Sequence, residues 1–313
     1  LEGDLERARV TIRRAAALAP ASKAAYNWAL IAIRMGRPEE AREALSSLDP
    51  DRGAMRGISR YWMRQIEASH HLGDHERELE QIEELERRYP DERSIFFYKV
   101  RALSALGYVE SLRAAFAAED VSRYPPEVVA VRYRNAAIDL HAHGHHEAAR
   151  ECARIGVDWI DSRTTAANRP SAFEAGFSLR ARQQLQYQRG RLLEVLGARQ
   201  EALAIYADLY EQTPDAWFLR AHMGVVHASL GHISEAMQTD RWLQTLNVPY
   251  RSGDVTSWRA GIAARLGDLE RGVALLEQSR QEGMSWGELH ALFHLDESMG
   301  EYEAFSGSMS PKG

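Results

Sequence analysis

Eight glycines, Gly3, Gly36, Gly73, Gly107, Gly144, Gly197, Gly231 and Gly267, recur along the chain at spacings of 33, 37, 34, 37, 53, 34 and 36 residues. Each opens a related string: GDLERA, GRPEEA, GDHERE, GYVESL, GHHEAA, GARQEA, GHISEA and GDLERG. A period this steady means that one supersecondary unit is stacked on copies of itself, because a single unit of this length cannot bury its own apolar face. An apolar residue precedes most of these glycines: Met35, Leu72, Leu106, Leu196, Leu230 and Leu266. That is how a helix stops, with glycine taking the left-handed conformation of a tight exit. Acidic residues and proline follow, and they favour the first turn of a new helix. Five residues after the glycine a small side chain recurs, at Ala8, Ala41, Ala149, Ala202 and Ala236, which lets two antiparallel helices approach closely. A proline then closes the unit, at Pro20, Pro50, Pro90, Pro125, Pro214 and Pro249, since it cannot continue the preceding helix. Between the marks the apolar spacing is helical, as in Ile82, Leu85 and Tyr89 or Ala202, Ile205 and Leu209. No run alternates like a strand.

Bulk properties narrow the function classes. Over 313 residues the formal charge is −6, with 45% hydrophobic and 27% charged residues, so no long-range positive field recruits nucleic acid or an anionic membrane. A single cysteine, Cys152, forbids an intrachain disulfide and points to the cytoplasm. No apolar run approaches the roughly 18 residues that span a bilayer. The chain begins at Leu1 in the middle of a repeat, and further sequence is expected upstream.

Unit length, turn glycine, small-residue position and closing proline together resemble the tetratricopeptide repeat family over nearly the whole chain. The family's aromatic positions are kept in part, with Tyr206 and Tyr210 the best examples. The resemblance implies an all-α, right-handed superhelical solenoid of antiparallel helix pairs that binds a protein or peptide in its concave groove. Two departures refine this. The 53-residue interval carries an insertion, which we read as a helix from 146 to about 161, a polar loop over 162–170 and a long helix over 171–196. Those roughly 26 residues would extend about 39 Å. Beyond the helix at 269–281 the pattern ceases, and the remainder is expected to cap the last apolar face. The expected organisation is therefore repeats over 1–161, loop and insertion helix over 162–196, repeats over 197–283, and a cap and tail over 284–313. Gly267 to Phe305 also resembles the C-terminal sensory regions of some bacterial signalling proteins, in which a kinase, cyclase or DNA-binding domain precedes a repeat array. That resemblance implies, as an alternative to a free scaffold, a regulatory module with its effector upstream.

Candidate chemistry is sparse. His141, His143, His145 and His146, with Cys152 nearby, are zinc- or nickel-ligand types. They straddle Gly144, cannot share one helix face, and show no fixed pattern of four ligands, so polar turn residues are the preferred interpretation and a metal or enzymatic site the alternative. His290 and His294 are spaced four apart and would share a face if that segment is helical, but Ala291 stands where a metalloprotease carries its glutamate. There is no phosphate-binding glycine loop and no Gly-x-Ser-x-Gly elbow. Arg180, Arg182, Arg189 and Arg191 flank Tyr187, a pattern able to hold phosphate and stack a base, yet Glu174 and Glu194 share the helix. Nucleic acid, cofactor, metal and catalysis are thus not expected. In the resembled family, positions six and three before the turn glycine and one and four after it face the groove. Carried over, they place Arg37, His70, Arg77, Arg101, Ser104, Tyr108, His141, His145 and Arg191 among the candidate partner-binding residues. The Lys and Asn set with which some members clamp a C-terminal carboxylate is absent. Arg101, Tyr108 and His141 together suggest an acidic or aromatic peptide.

Overall fold

The computed structural model describes residues 5–20, 22–167, 179–248, 252–282 and 284. The described chain contains fifteen α-helices and two short 3-10 turns and no strand. A leading helix, α1 (Leu5–Leu18), is followed by seven consecutive pairs. They are α2 (Ala24–Arg34) with α3 (Pro38–Ser46), α4 (Ser59–His71) with α5 (His75–Arg88), and α6 (Ile95–Ala105) with α7 (Val109–Ala118). Then come α8 (Pro126–Ala142) with α9 (His146–Ala167), α10 (Leu179–Val195) with α11 (Arg199–Gln212), α12 (Trp217–Ser229) with α13 (Ile233–Thr245), and α14 (Ser252–Arg265) with α15 (Leu269–Gln281).

Every pair turns through the same backbone device. Gly36, Gly73, Gly107, Gly144, Gly197, Gly231 and Gly267 all have positive φ, between 67° and 87°. The amide after each glycine reaches back five residues, as in Arg37 N to Ala32 O at 2.9 Å and His145 N to Leu140 O at 2.8 Å. This exit satisfies carbonyls that a helix end otherwise leaves orphaned. Glycine is required here for its conformation. At Gly107 it is required twice, because any side chain would also strike the His145 ring, 2.3 Å from a Cβ placed there.

Packing follows the small residues. Ala41, Ala149, Ala202 and Ala236 are fully buried where second helices meet first helices. First helices also touch one another, α2 on α4, α6 on α8, α8 on α10 and α12 on α14. Second helices instead touch their own partner and the first helix of the following pair. The result is two layers, with first helices on one side and second helices on the other, the arrangement that lets a solenoid curve towards its first helices.

The insertion differs from the sequence expectation. Residues 162–167, assigned to a loop for their polarity, continue α9 as helix. Two causes are visible. Ser162 Oγ and Thr164 Oγ1 donate back to carbonyls of the preceding turn, Trp159 O at 2.7 Å and Ile160 O at 3.1 Å, and α9 is docked on α10 by Arg189 to Asp161 at 2.8 Å. Tertiary docking overrides local propensity. The proposed start of the long helix at 171 and the cap over 284–313 lie outside the described residues, apart from Met284.

Close helix contact around α10 gives a test. A Cβ on Gly190 would lie 2.6 Å from Cε1 of Tyr206, a fully buried ring. Alanine is the better helix former by roughly 1 kcal/mol, but overpacking of this kind costs about 1–3 kcal/mol. Gly190→Ala is therefore expected to lower the urea midpoint, where propensity alone would raise it.

Candidate binding site on the first-helix layer

A chain of polar side chains runs across the first-helix layer. It begins in the third unit, where the position filled by alanine in most repeats holds Glu78, fully buried. Its two carboxylate oxygens are both occupied. Oε1 accepts from Arg101 Nε at 3.0 Å and Nη2 at 2.8 Å, and Oε2 accepts from His70 Nδ1 at 2.9 Å and His75 Nδ1 at 3.1 Å. Burial opposes the charge on Glu78, but Arg101 and the two imidazoles outweigh it and hold the carboxyl below its usual range. Burial drives His70 the other way, down to about 4, so its ring stays neutral near pH 7 and donates to the carboxylate. The His75 ring meets His143 edge-on, with centroids 4.9 Å apart, and His143 Nδ1 bonds the Asp139 carbonyl at 2.8 Å.

Asp139, on α8, is enclosed on nearly every side and makes no side-chain hydrogen bond or ion pair among the described residues, yet part of its surface reaches solvent. Desolvation pushes its carboxyl up to about 7 against the pull of Arg101. One turn towards the N-terminus sits Arg134. Its Nη1 donates to Gln188 Oε1 at 2.9 Å, and its Nε and Nη2 donate to Asn135 Oδ1 at 3.1 and 2.7 Å. On α10, Arg191 is buried beside Glu194, Nε to Oε1 3.4 Å, but that Nε has no hydrogen-bond acceptor. Glu194 also accepts from Tyr206 Oη at 2.5 Å. Tyr187 Oη lies 2.6 Å from His222 Nε2, and the His222 ring contacts Trp258 on α14, with centroids 4.1 Å apart.

The sequence-derived candidates scatter over this frame. His70, Arg101 and Arg191 belong to the polar chain. Arg37 pairs loosely with Glu40, 3.9 Å, and Arg77 is exposed on α5. The Ser104 hydroxyl is buried and donates to Val100 O at 2.7 Å. Tyr108 is 47% exposed at the start of α7, while His145 covers Gly107. His141 faces His146, Nδ1 to Nδ1 3.4 Å. Of the other turn histidines, His143 and His145 turn to different neighbours.

Among the described residues, His70, His75 and Glu78 offer ligand-type atoms within 4.8 Å of one another. An ion there has to displace two N–H···O bonds and sit beside a guanidinium, so the donor set serves its own network better than a cation. Sequence reasoning passed over His75, Glu78, Asp139 and Arg134. The one local signal was Glu78 itself, a carboxylate at the close-packing position five residues after a turn glycine. No helix among the described residues is long and apolar enough to cross a membrane.

Asp139 supplies a prediction with a definite sign. Its folded value lies above the unfolded 3.8, so its contribution is fully present below about pH 4 and is lost as pH rises through 7. Asp139→Asn is expected to be neutral at pH 3.5 and to gain on the order of 2 kcal/mol at pH 8, allowing for solvent in the site. Thermal melts of both proteins across that range check it.

No protein-family model and no curated protein matches the sequence. Among solved structures, the chain is similar to a tetratricopeptide repeat protein from Parabacteroides merdae, with 13% identity over 88% of this chain and 98% of that one, at a TM-score of 0.46.

Proposed function

We propose that this chain is a protein-binding scaffold that receives a partner segment along its first-helix layer and performs no catalysis. The observation that carries this is the run of charged and aromatic groups along the first helices α4, α6, α8, α10, α12 and α14, with Glu78 and His75 reaching in from α5, placed where apolar side chains would stack the helices more cheaply. The candidate nucleophiles fit a binding role: burial pushes the Cys152 thiol up to about 12, far from the thiolate that reacts, and the Ser104 hydroxyl is spent on a backbone carbonyl.

A random peptide library displayed on phage and selected on the immobilised chain provides the test. Selected peptides are expected to lose binding to Tyr187→Ala and Trp258→Ala on the first helices. They are expected to keep it with Ile155→Ala and Met237→Ala, whose side chains are 42% and 46% exposed on second helices. The opposite pattern, or no selected peptide at all, refutes a first-helix scaffold.

A further inference from the structure

Arg134 on α8 is a charge that the fold leaves without an ion-pair partner among the described residues, and beside it Arg191 on α10 pairs with Glu194 yet keeps its buried Nε without an acceptor. Arg134 is ringed by protein and spends its hydrogen bonds on two neutral amide oxygens, Gln188 Oε1 and Asn135 Oδ1. Among the described residues no carboxylate lies within ion-pair distance of it, and Arg191 across the α8–α10 contact adds a like charge. Arg191 has Glu194 at 3.4 Å, but that carboxylate is shared with Tyr206 Oη, and Arg191 Nε is buried without an acceptor. A guanidinium carries five donors in a planar fork that matches a carboxylate; Arg134 uses three and keeps two free. Buried charge without a counter-charge is costly. The chain as a whole carries −6, so a cationic pair at this spot runs against its own background.

We infer that Arg134 and Arg191 form a receptor for an acidic side chain, an aspartate or glutamate carboxylate on the partner segment, with Tyr187 and Trp258 as the aromatic wall further along the layer. This rests on the scaffold function proposed above and names the partner's chemistry. Aspartate or glutamate supplies what the site lacks, one negative charge with two acceptor oxygens for a bidentate contact. Its neighbour Asp139, pushed up to about 7 by burial, is only partly ionised near neutral pH and makes no ion pair with Arg134 among the described residues. A cationic or purely apolar segment would leave Arg134 without a counter-charge.

The probes are fluorescein-labelled hexaglutamate and hexaglutamine, read by anisotropy at 50 mM salt, with sodium sulfate as the free-anion arm. Hexaglutamate is expected to bind and hexaglutamine not. Affinity should fall at least tenfold in Arg134→Gln and in Arg191→Gln, and remain unchanged in Arg113→Gln, an exposed arginine on α7 paired with Glu110 and Glu151. Arg134→Met is the companion variant: relief of the like-charge contact is expected to raise its thermal midpoint by a few degrees, so loss of binding there cannot be loss of fold.

Hexaglutamate binding that is absent, or that Arg113→Gln weakens as much as Arg134→Gln, overturns the inference. Stabilisation by sulfate equal to that by hexaglutamate, with both lost in Arg134→Met, makes the ligand a free anion and overturns the peptide assignment. Phage-selected peptides that bind the first-helix layer without acidic residues leave the scaffold standing and overturn this inference alone.

Discussion

Glu78→Ala is expected to destabilise the chain by about 3–5 kcal/mol. Most of that cost comes from what remains. Removing the carboxylate leaves Arg101, 13% exposed at its side chain, without its counter-charge, and leaves His70 and His75 without the oxygen they share. The cavity left by the side chain adds a smaller amount. The alanine itself is harmless, since four other units carry alanine, fully buried, at this position. Glu78→Ala combined with Arg101→Leu is therefore expected to recover most of the loss, because burying neither charge avoids both desolvation penalties. Urea unfolding of the two single variants and the double variant gives the coupling energy directly. A double variant as unstable as the sum of the singles would show that Glu78 matters for its shape and not for its charge.

Acidification is the second large effect. Burial holds His70 to about 4 and His71 to about 3, and it drives His222 well below 6.5, with Arg191 and Arg134 adding to the last. In each case the folded value lies below the unfolded one, so the unfolded chain takes up protons first. The contributions are complete above about pH 6.5 and are lost as pH falls towards 4. For His70 and His71 each is on the order of 3–5 kcal/mol, against a total that is commonly about 5–15 kcal/mol. Glu78 works in the same direction at still lower pH. The thermal midpoint is expected to drop steeply between pH 6.5 and 4.5. His222→Gln, which takes up no proton, should flatten the drop. A midpoint constant over that range would mean that these rings are solvated in the folded chain.

The helix pairs were legible because their marks are local. A turn glycine with an apolar residue before it and an acidic turn after it specifies the hairpin without reference to the rest of the chain, and all seven described turn glycines sit at positive φ. The α15 boundaries follow from the same marks. Residues 162–167 were misread because polarity was weighed without the docking of α9 on α10 through Arg189 and Asp161.

The polar chain was legible only in pieces. His70, Arg101 and Arg191 fall at positions the repeat pattern singles out, but their partners do not. Glu78 showed as an exception to the alanine rule and could have been caught. Arg134 and Gln188 are 54 residues apart across the insertion, and nothing in either local sequence announces the pairing. Whether an arginine is free or committed is decided in three dimensions: Arg101 is committed to Glu78, while Arg134 keeps open donors.

The most direct measurement of the central claim is hydrogen exchange on the chain with and without a bound phage-selected peptide. Slowed exchange is expected in α8, α10 and α12, with α9, α11 and α13 unchanged. Slowing confined to the second helices would contradict a partner site on the first-helix layer.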